Sequence, residues 1–172
     1  MATDALAVWH DFYLLLGGGA ATLVGLTFVA ASIIAGAVQR DHEQGLNVFI
    51  TPTVLHFTAI LVACLIAVAP IADPGKRGAL LLALSIVGIG YSARVWLNMY
   101  RRGYAATVVL SDRLWYALAP VFAYAAVAAG ALLAALAIPA GGAVLASGLG
   151  LLLLAGIRNA WDMVIWIVIR RG

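Results

Sequence analysis

Apolar runs long enough to cross a bilayer occur five times along the chain. Crossing about 30 Å of hydrocarbon takes about 20 mostly apolar residues in a helix. The five runs are separated by short polar segments and cover residues 13–38, 53–72, 78–99, 114–138 and 142–169. The pattern predicts an all-α integral membrane protein, a single domain over residues 1–172 built as a bundle of about five transmembrane helices. Four spans plus a re-entrant segment are the alternative, if one of the last two runs does not cross.

Proline marks the predicted helix boundaries. Thr51 and Pro52 form the pattern of a helix start, with threonine as the N-cap and proline in the first turn. Asp73, Pro74 and Gly75 form a turn that closes the second run. These signals place the second helix between the two prolines.

The composition agrees with a membrane location. Hydrophobic residues make up 65% of the chain, charged residues 10%, and the mean hydropathy is +1.08. Soluble domains are about half apolar and about a quarter charged. This excludes an ordinary soluble domain, a disordered chain and a nucleic-acid-binding module, so the expected surroundings are the lipid bilayer.

The cations predict an orientation. Five spans put the termini on opposite sides, and one side then collects six arginines: Arg40, Arg101, Arg102, Arg113, Arg170 and Arg171. The other side has only Lys76 and Arg77. Because cytoplasmic loops carry the excess of Lys and Arg, we expect the N-terminus outside and the C-terminus in the cytoplasm, in the plasma (inner) membrane.

Charged residues inside the predicted spans are the main candidates for function, because polar groups are costly in hydrocarbon. They are Arg94, Arg158 and Asp162, and His56 joins them. At 1.5 Å per helical residue, three of the four lie about 10 Å from the predicted cytoplasmic ends, and Arg158 lies about 16 Å in. This shared depth predicts one polar cluster.

Helical spacing groups these residues on faces. Arg158 and Asp162 are four apart and can form an ion pair, and Asn159 flanks the same face. A second stripe holds Tyr91, Arg94 and Asn98. We expect both faces to turn inward. The simpler alternatives are a purely structural ion pair and an Arg94 that snorkels to the headgroups.

His56 and Pro120 add two further expectations. A free imidazole has a pKa of ~6.5, so His56 would make transport sensitive to pH, unless it is only a hydrogen-bonded packing residue. Pro120 cannot donate a hydrogen bond to the Tyr116 carbonyl, which predicts a kink at the depth of the cluster.

The cluster carries two arginines against one aspartate, and an anion or a lipid phosphate would suit the extra guanidinium. We therefore expect an ion channel or small permease with an anion-favouring polar cluster. Small residues spaced four apart in the first run, Gly17, Ala21 and Gly25, let helices approach closely, either within one protomer or between protomers. Five short helices offer little interior for such faces, so we expect a homo-oligomer. The alternative is a membrane subunit or scaffold that binds a partner helix or anionic lipid.

Enzymatic and metal chemistry lack sequence support. The chain has no G-x-S-x-G, H-E-x-x-H or phosphate-binding glycine motif, so no catalytic residues are expected. An intramembrane lipid enzyme using His56 and Asp162 is a third, lower-ranked class. With one cysteine, Cys64, and scattered histidines, we expect neither a metal site nor a cofactor.

Overall fold

The computed structural model describes residues 5–37, 43–101 and 114–170, and the regular structure within these ranges is entirely helical. One longer helix lies at each of the five apolar runs. These are α1 (His10–Ala37), α2 (Glu43–Val68), α3 (Pro74–Arg101), α4 (Ala119–Ala135) and α5 (Ala140–Arg170). A short 3-10 helix, Ala7–Trp9, precedes α1, and a π-helical turn, Leu114–Leu118, leads into α4.

Three helices are long and apolar enough to cross a membrane. They cover Ala7–Ser32, Pro74–Asn98 and Ala140–Asp162. Two shorter apolar helices, Pro52–Val68 and Ala119–Ala135, lie between them in the sequence. The prediction of an all-helical fold is therefore confirmed, and three of its helices have the length and apolar composition that a membrane span needs. The predicted orientation depends partly on Arg40, Arg102, Arg113 and Arg171, which lie outside the described residues.

The predicted start of the second helix is wrong. The structure begins α2 at Glu43 and places Pro52 inside the helix, where it is buried. A proline removes one backbone hydrogen bond, and packing against neighbouring helices can outweigh that loss. The helix also ends at Val68, before the predicted limit at residue 72.

The segment predicted to close the second helix in fact begins the third. The Asp73 carboxylate accepts hydrogen bonds from the backbone N–H groups of Gly75 and Lys76, at 2.8 Å and 3.4 Å. These bonds satisfy donors that the first turn of a helix leaves unpaired. With Asp73 as the cap and Pro74 in the first turn, α3 begins four residues before the predicted span at residue 78.

The helix changes type where Pro120 was predicted to kink it. The π turn ends at Leu118, α4 begins at Ala119, and Pro120 is fully buried. A π turn accommodates an interruption of the regular hydrogen-bond ladder, and such turns often occur at functional sites. This turn brings Trp115 and Tyr116 to the polar side chains described below.

The helices meet in an antiparallel bundle in which α4 packs on α3 and α5, and α2 packs on α1 and α5. At one end the Tyr13 hydroxyl donates a hydrogen bond to the Gly142 carbonyl at 2.8 Å. A Cβ added to Gly17 would lie 3.0 Å from that of Cys64. We call this the tight end; it joins the starts of α1, α3 and α5 to the ends of α2 and α4. The opposite end, the polar end, holds the candidate site.

Candidate functional site

The centre of the site is a buried hydrogen bond between two helices. The His56 Nδ1 atom on α2 lies 3.0 Å from the Tyr124 hydroxyl on α4. His56 is 2% exposed and Tyr124 is 3% exposed, so this contact lies in the interior of the bundle. Either group can act as the donor, depending on the His56 tautomer. The pair can therefore reverse its hydrogen bond when His56 gains or loses a proton.

A third helix closes over this pair. The Tyr91 ring on α3 packs edge-on against the His56 ring, with 6.3 Å between the ring centroids. Gly88, one turn earlier in α3, has no side chain to occupy the space that the Tyr124 ring fills. A Cβ at that position would overlap the ring. Gly88 thus allows Tyr124 to lie flat enough against α3 to reach His56.

The π turn adds two aromatic residues next to α5. The Arg158 guanidinium lies over the Trp115 ring, 5.5 Å from its centroid, which is a cation–π contact. Tyr116 is close enough to Asp162 and Tyr91 to interact electrostatically with both. The π turn therefore connects the charged residues of α5 with the aromatic residues around His56.

Arg158 and Asp162 form the predicted ion pair. The Arg158 Nε atom lies 3.8 Å from an Asp162 carboxylate oxygen, one turn away on the same helix. This distance is too long for a direct hydrogen bond between these two atoms, so the interaction between them is electrostatic. Their side chains are 41% and 39% exposed. The pair therefore lies at the lateral surface of the protomer and not in its centre.

Asn159 lies in the interior next to that pair. It is 1% exposed, and neither its amide nitrogen nor its carbonyl oxygen has a hydrogen-bond partner in the described part of the chain. The buried face of α5 passes through Leu152 and Ala155 to Asn159. An apolar stripe of the bundle core thus ends in an amide at the polar end.

The stripe predicted on α3 splits between two environments. Tyr91 contacts His56 as expected of an inward face, whereas Arg94 and Asn98 are exposed. The buried side of α3 runs through Gly88 and Ser92. At 100° per residue, Arg94 lies about 200° around the helix from Ser92. The expected convergence of Arg94 and Asn98 with the other candidates is therefore not what the structure shows.

The sequence interpretation missed the tyrosines Tyr116 and Tyr124 and the space provided by Gly88. A signal was present, because a tyrosine deep in an apolar span needs a partner for its hydroxyl group. Tyr124 stands in an alanine-rich segment, far from the ends where aromatic residues collect. Gly88 gave no such signal, since its role depends on a ring from another helix.

Metal binding has no candidate in the described ranges. No three His, Cys, Asp or Glu residues there lie close enough together to hold a metal ion. No protein-family model, curated protein or solved structure matches this chain.

Proposed function

We propose that the chain is a multi-pass protein of the plasma (inner) membrane. In this proposal each of the five helices either crosses the bilayer or completes the helical bundle within it. The two shorter apolar helices, Pro52–Val68 and Ala119–Ala135, are flanked by three helices of spanning length. Lys76 lies at the tight end, and α5 ends in Arg170 at the polar end. The positive-inside rule then assigns the polar end to the cytoplasm and the N-terminus to the outside.

We further propose that it acts as a homo-oligomeric ion channel or small permease. The observation that carries this proposal is the half-exposed ion pair of Arg158 and Asp162 on the lateral surface of a largely apolar helix. Charges at such a surface are costly against lipid, so they face water, another protein or each other. In an oligomer the two side chains would line a path between protomers.

A small pocket lies at the tight end, between Leu6, Pro74, Arg77, Gly78 and Ala134, with a volume of about 10 Å³. That is room for about one water molecule and far less than a hydrated ion needs, so this pocket is not an ion path. The proposal places the path at the exposed pair of Arg158 and Asp162, outside the core of the protomer.

Each polar residue has a distinct role in this mechanism. Arg158 attracts an anion, and stacking on Trp115 holds its guanidinium in place. Asp162 neutralises Arg158 while the path is empty and releases it when an anion competes. The His56–Tyr124 pair lies in the interior of the same end of the bundle and makes the path sensitive to protonation.

Ion flux into proteoliposomes tests the proposal. Arg158→Gln should reduce chloride flux by about tenfold, because it removes the guanidinium that binds the anion. Asp162→Asn should change the flux and its chloride-to-potassium ratio, since it frees Arg158 from its counter-charge. Lys76→Gln is the matched control, a cation lost at the exposed tight end.

Unchanged flux in both Arg158→Gln and Asp162→Asn would contradict the proposal. Absence of flux for either ion, from protein that remains folded at several pH values, would contradict it as well. An equal loss of chloride flux in Lys76→Gln would mean that the effect reflects the overall charge of the protein and not the proposed path.

A second function is favoured by Arg94. This cation is exposed on α3 inside a helix of spanning length, and it makes no ion pair within the described part of the chain. An exposed guanidinium there suits an anionic lipid headgroup or an acidic residue of a partner subunit. Arg94→Gln should then weaken binding of anionic lipid, or of a co-purifying protein, while leaving chloride flux unchanged.

A further inference from the structure

In the described part of the chain, Asn159 has more buried polar side-chain atoms without a hydrogen-bond partner than any other residue. Its nitrogen and oxygen both lack a hydrogen-bond partner among the described residues, although the side chain is 1% exposed. Buried polar side chains in folded proteins nearly always bind a protein group or an ordered water. Each buried water typically makes about three hydrogen bonds to such groups.

The packing of the helices shows what surrounds this amide. Gly141 of α5 packs on Ala134 of α4, and Gly148 of α5 packs on Val127 of α4. A step of seven residues forward along α5 therefore matches a step of seven residues back along α4, as expected of antiparallel helices. Continuing this offset brings Asn159 level with Tyr116 on the π turn. The contact of Arg158 with Trp115 is two residues, about 3 Å, off this register, a distance that the long arginine side chain spans.

The same reasoning connects Asn159 with His56. Gly156 packs on Phe57 of α2, which runs antiparallel to α5. Asn159 is therefore level with the residues just before His56, about 3 Å away along the bundle axis. Beyond His56 toward the tight end, the next buried residues of α2 are Phe57, Ile60 and Ala63, which are apolar.

We propose that Asn159 binds water that enters from the polar end and gives protons access to His56 from that end alone. A proton carried by this water binds the His56 imidazole, and Tyr124 then accepts its hydrogen bond instead of donating one. The proton leaves by the same waters, so no other bond changes. The use of this access in transport rests on the proposed function, whereas the water binding does not.

The groups facing His56 set the electrostatics of this step. The titratable residues around His56 and Asn159 are Tyr91 on α3, Tyr116 and Tyr124 on the π turn and α4, and Arg158 and Asp162 on α5. Arg94, the cation of α3 at this depth, is exposed on the other side of that helix. The tyrosines are neutral near neutral pH, and Arg158 is balanced by Asp162. A proton on His56 therefore meets no uncompensated cation among these groups.

Cysteine accessibility tests the water site directly. Cys64 is the one cysteine in the chain and is buried near the tight end, so Cys64→Ala gives a background without thiols. Asn159→Cys should then react with a charged methanethiosulfonate reagent about tenfold faster than Leu152→Cys, because thiolate formation needs water. Leu152 is 0% exposed and lies two turns away on the same face. Equal rates at the two positions would overturn the proposal.

A second measurement avoids the added thiol. The ring N–H of His56 can be followed by NMR in lipid nanodiscs with nitrogen-labelled histidine, before and after transfer to D₂O. Asn159→Leu should slow its exchange about tenfold, because the bound water that carries protons is lost. Exposed His10 is the internal control and should be unaffected. Unchanged His56 exchange would overturn the proposal, and neither measurement depends on ion flux.

Discussion

The two ends of the bundle are held together by different interactions. At the tight end and along the adjoining α4–α5 contact, glycines let backbones touch, as where a Cβ on Gly130 would lie 2.7 Å from the Leu145 Cα atom. At the polar end the helices are spaced by ring-bearing side chains joined through the His56–Tyr124 hydrogen bond. Backbones in direct contact at glycines can pack in only one way, whereas the hydrogen bond between His56 and Tyr124 can reverse its direction. The difference suggests that the tight end provides rigidity and the polar end provides response.

The largest effect should come from filling the closest backbone contact. Gly130→Ala would push a methyl group into the backbone of Leu145, and overpacking that requires backbone movement should cost about 2–3 kcal/mol of unfolding free energy. Unfolding by a denaturing detergent, followed by circular dichroism, measures the loss.

Gly150→Ala is the control, because a Cβ at Gly150 meets nothing within 4 Å. Alanine favours the helix over glycine by about 1 kcal/mol, so this variant should be neutral or stabilised. Equal destabilisation of both variants would mean that the close contact at Gly130 is no more sensitive to an added methyl group than the open position at Gly150.

The next effect tests whether the polar end depends on a space made by glycine. Gly88→Ala should displace the Tyr124 ring and separate its hydroxyl from His56, costing about 2 kcal/mol. The displaced ring should also shift the His56 signals in NMR spectra. Gly90→Ala, two residues later and with open space for a Cβ, should be neutral or stabilised and should leave the His56 signals unchanged.

A somewhat smaller effect should come from removing only the hydroxyl. Tyr124→Phe leaves the buried His56 nitrogen without this partner and should cost about 1–2 kcal/mol. Adding His56→Phe should not add its full separate cost, because the two changes remove the same hydrogen bond. Strict additivity in this double-mutant cycle would show that the two groups are not coupled.

The smallest effect should be a gain in stability at the turn next to the tight end. Ala137 has a φ of 57° between α4 and α5. The N–H of Ile138 bonds the Leu133 carbonyl at 2.9 Å, and the N–H of Ala137 bonds the Ala134 carbonyl at 3.0 Å. This is a Schellman cap, whose left-handed position favours glycine. Ala137→Gly should therefore stabilise the protein by about 1 kcal/mol.

That gain should appear without any change at the polar end. The His56 NMR signals and the chloride flux of Ala137→Gly should match those of the parent protein. A destabilised Ala137→Gly would mean that the turn does not hold this residue in the left-handed conformation.

The interpretation of Pro52 and Asp73 shows the limit of local signals. Both residues have strong positional preferences, and the sequence interpretation assigned each to a helix end. The structure uses Asp73 as a cap of the following helix and keeps Pro52 within α2. Local preferences are worth a few kcal/mol, which packing of a whole apolar face can exceed.

The amino-acid pattern was enough to predict that the chain is helical, where its apolar helices lie, and that Arg158 and Asp162 share a face. These features depend on composition and on the helical period, which act within one segment. The contact of Tyr124 with His56, the space that Gly88 leaves for it, and the outward position of Arg94 appear only in the folded bundle. Each of these depends on how one helix is rotated against another. That rotation is set by the fit of side chains between helices, which the sequence of a single segment does not specify.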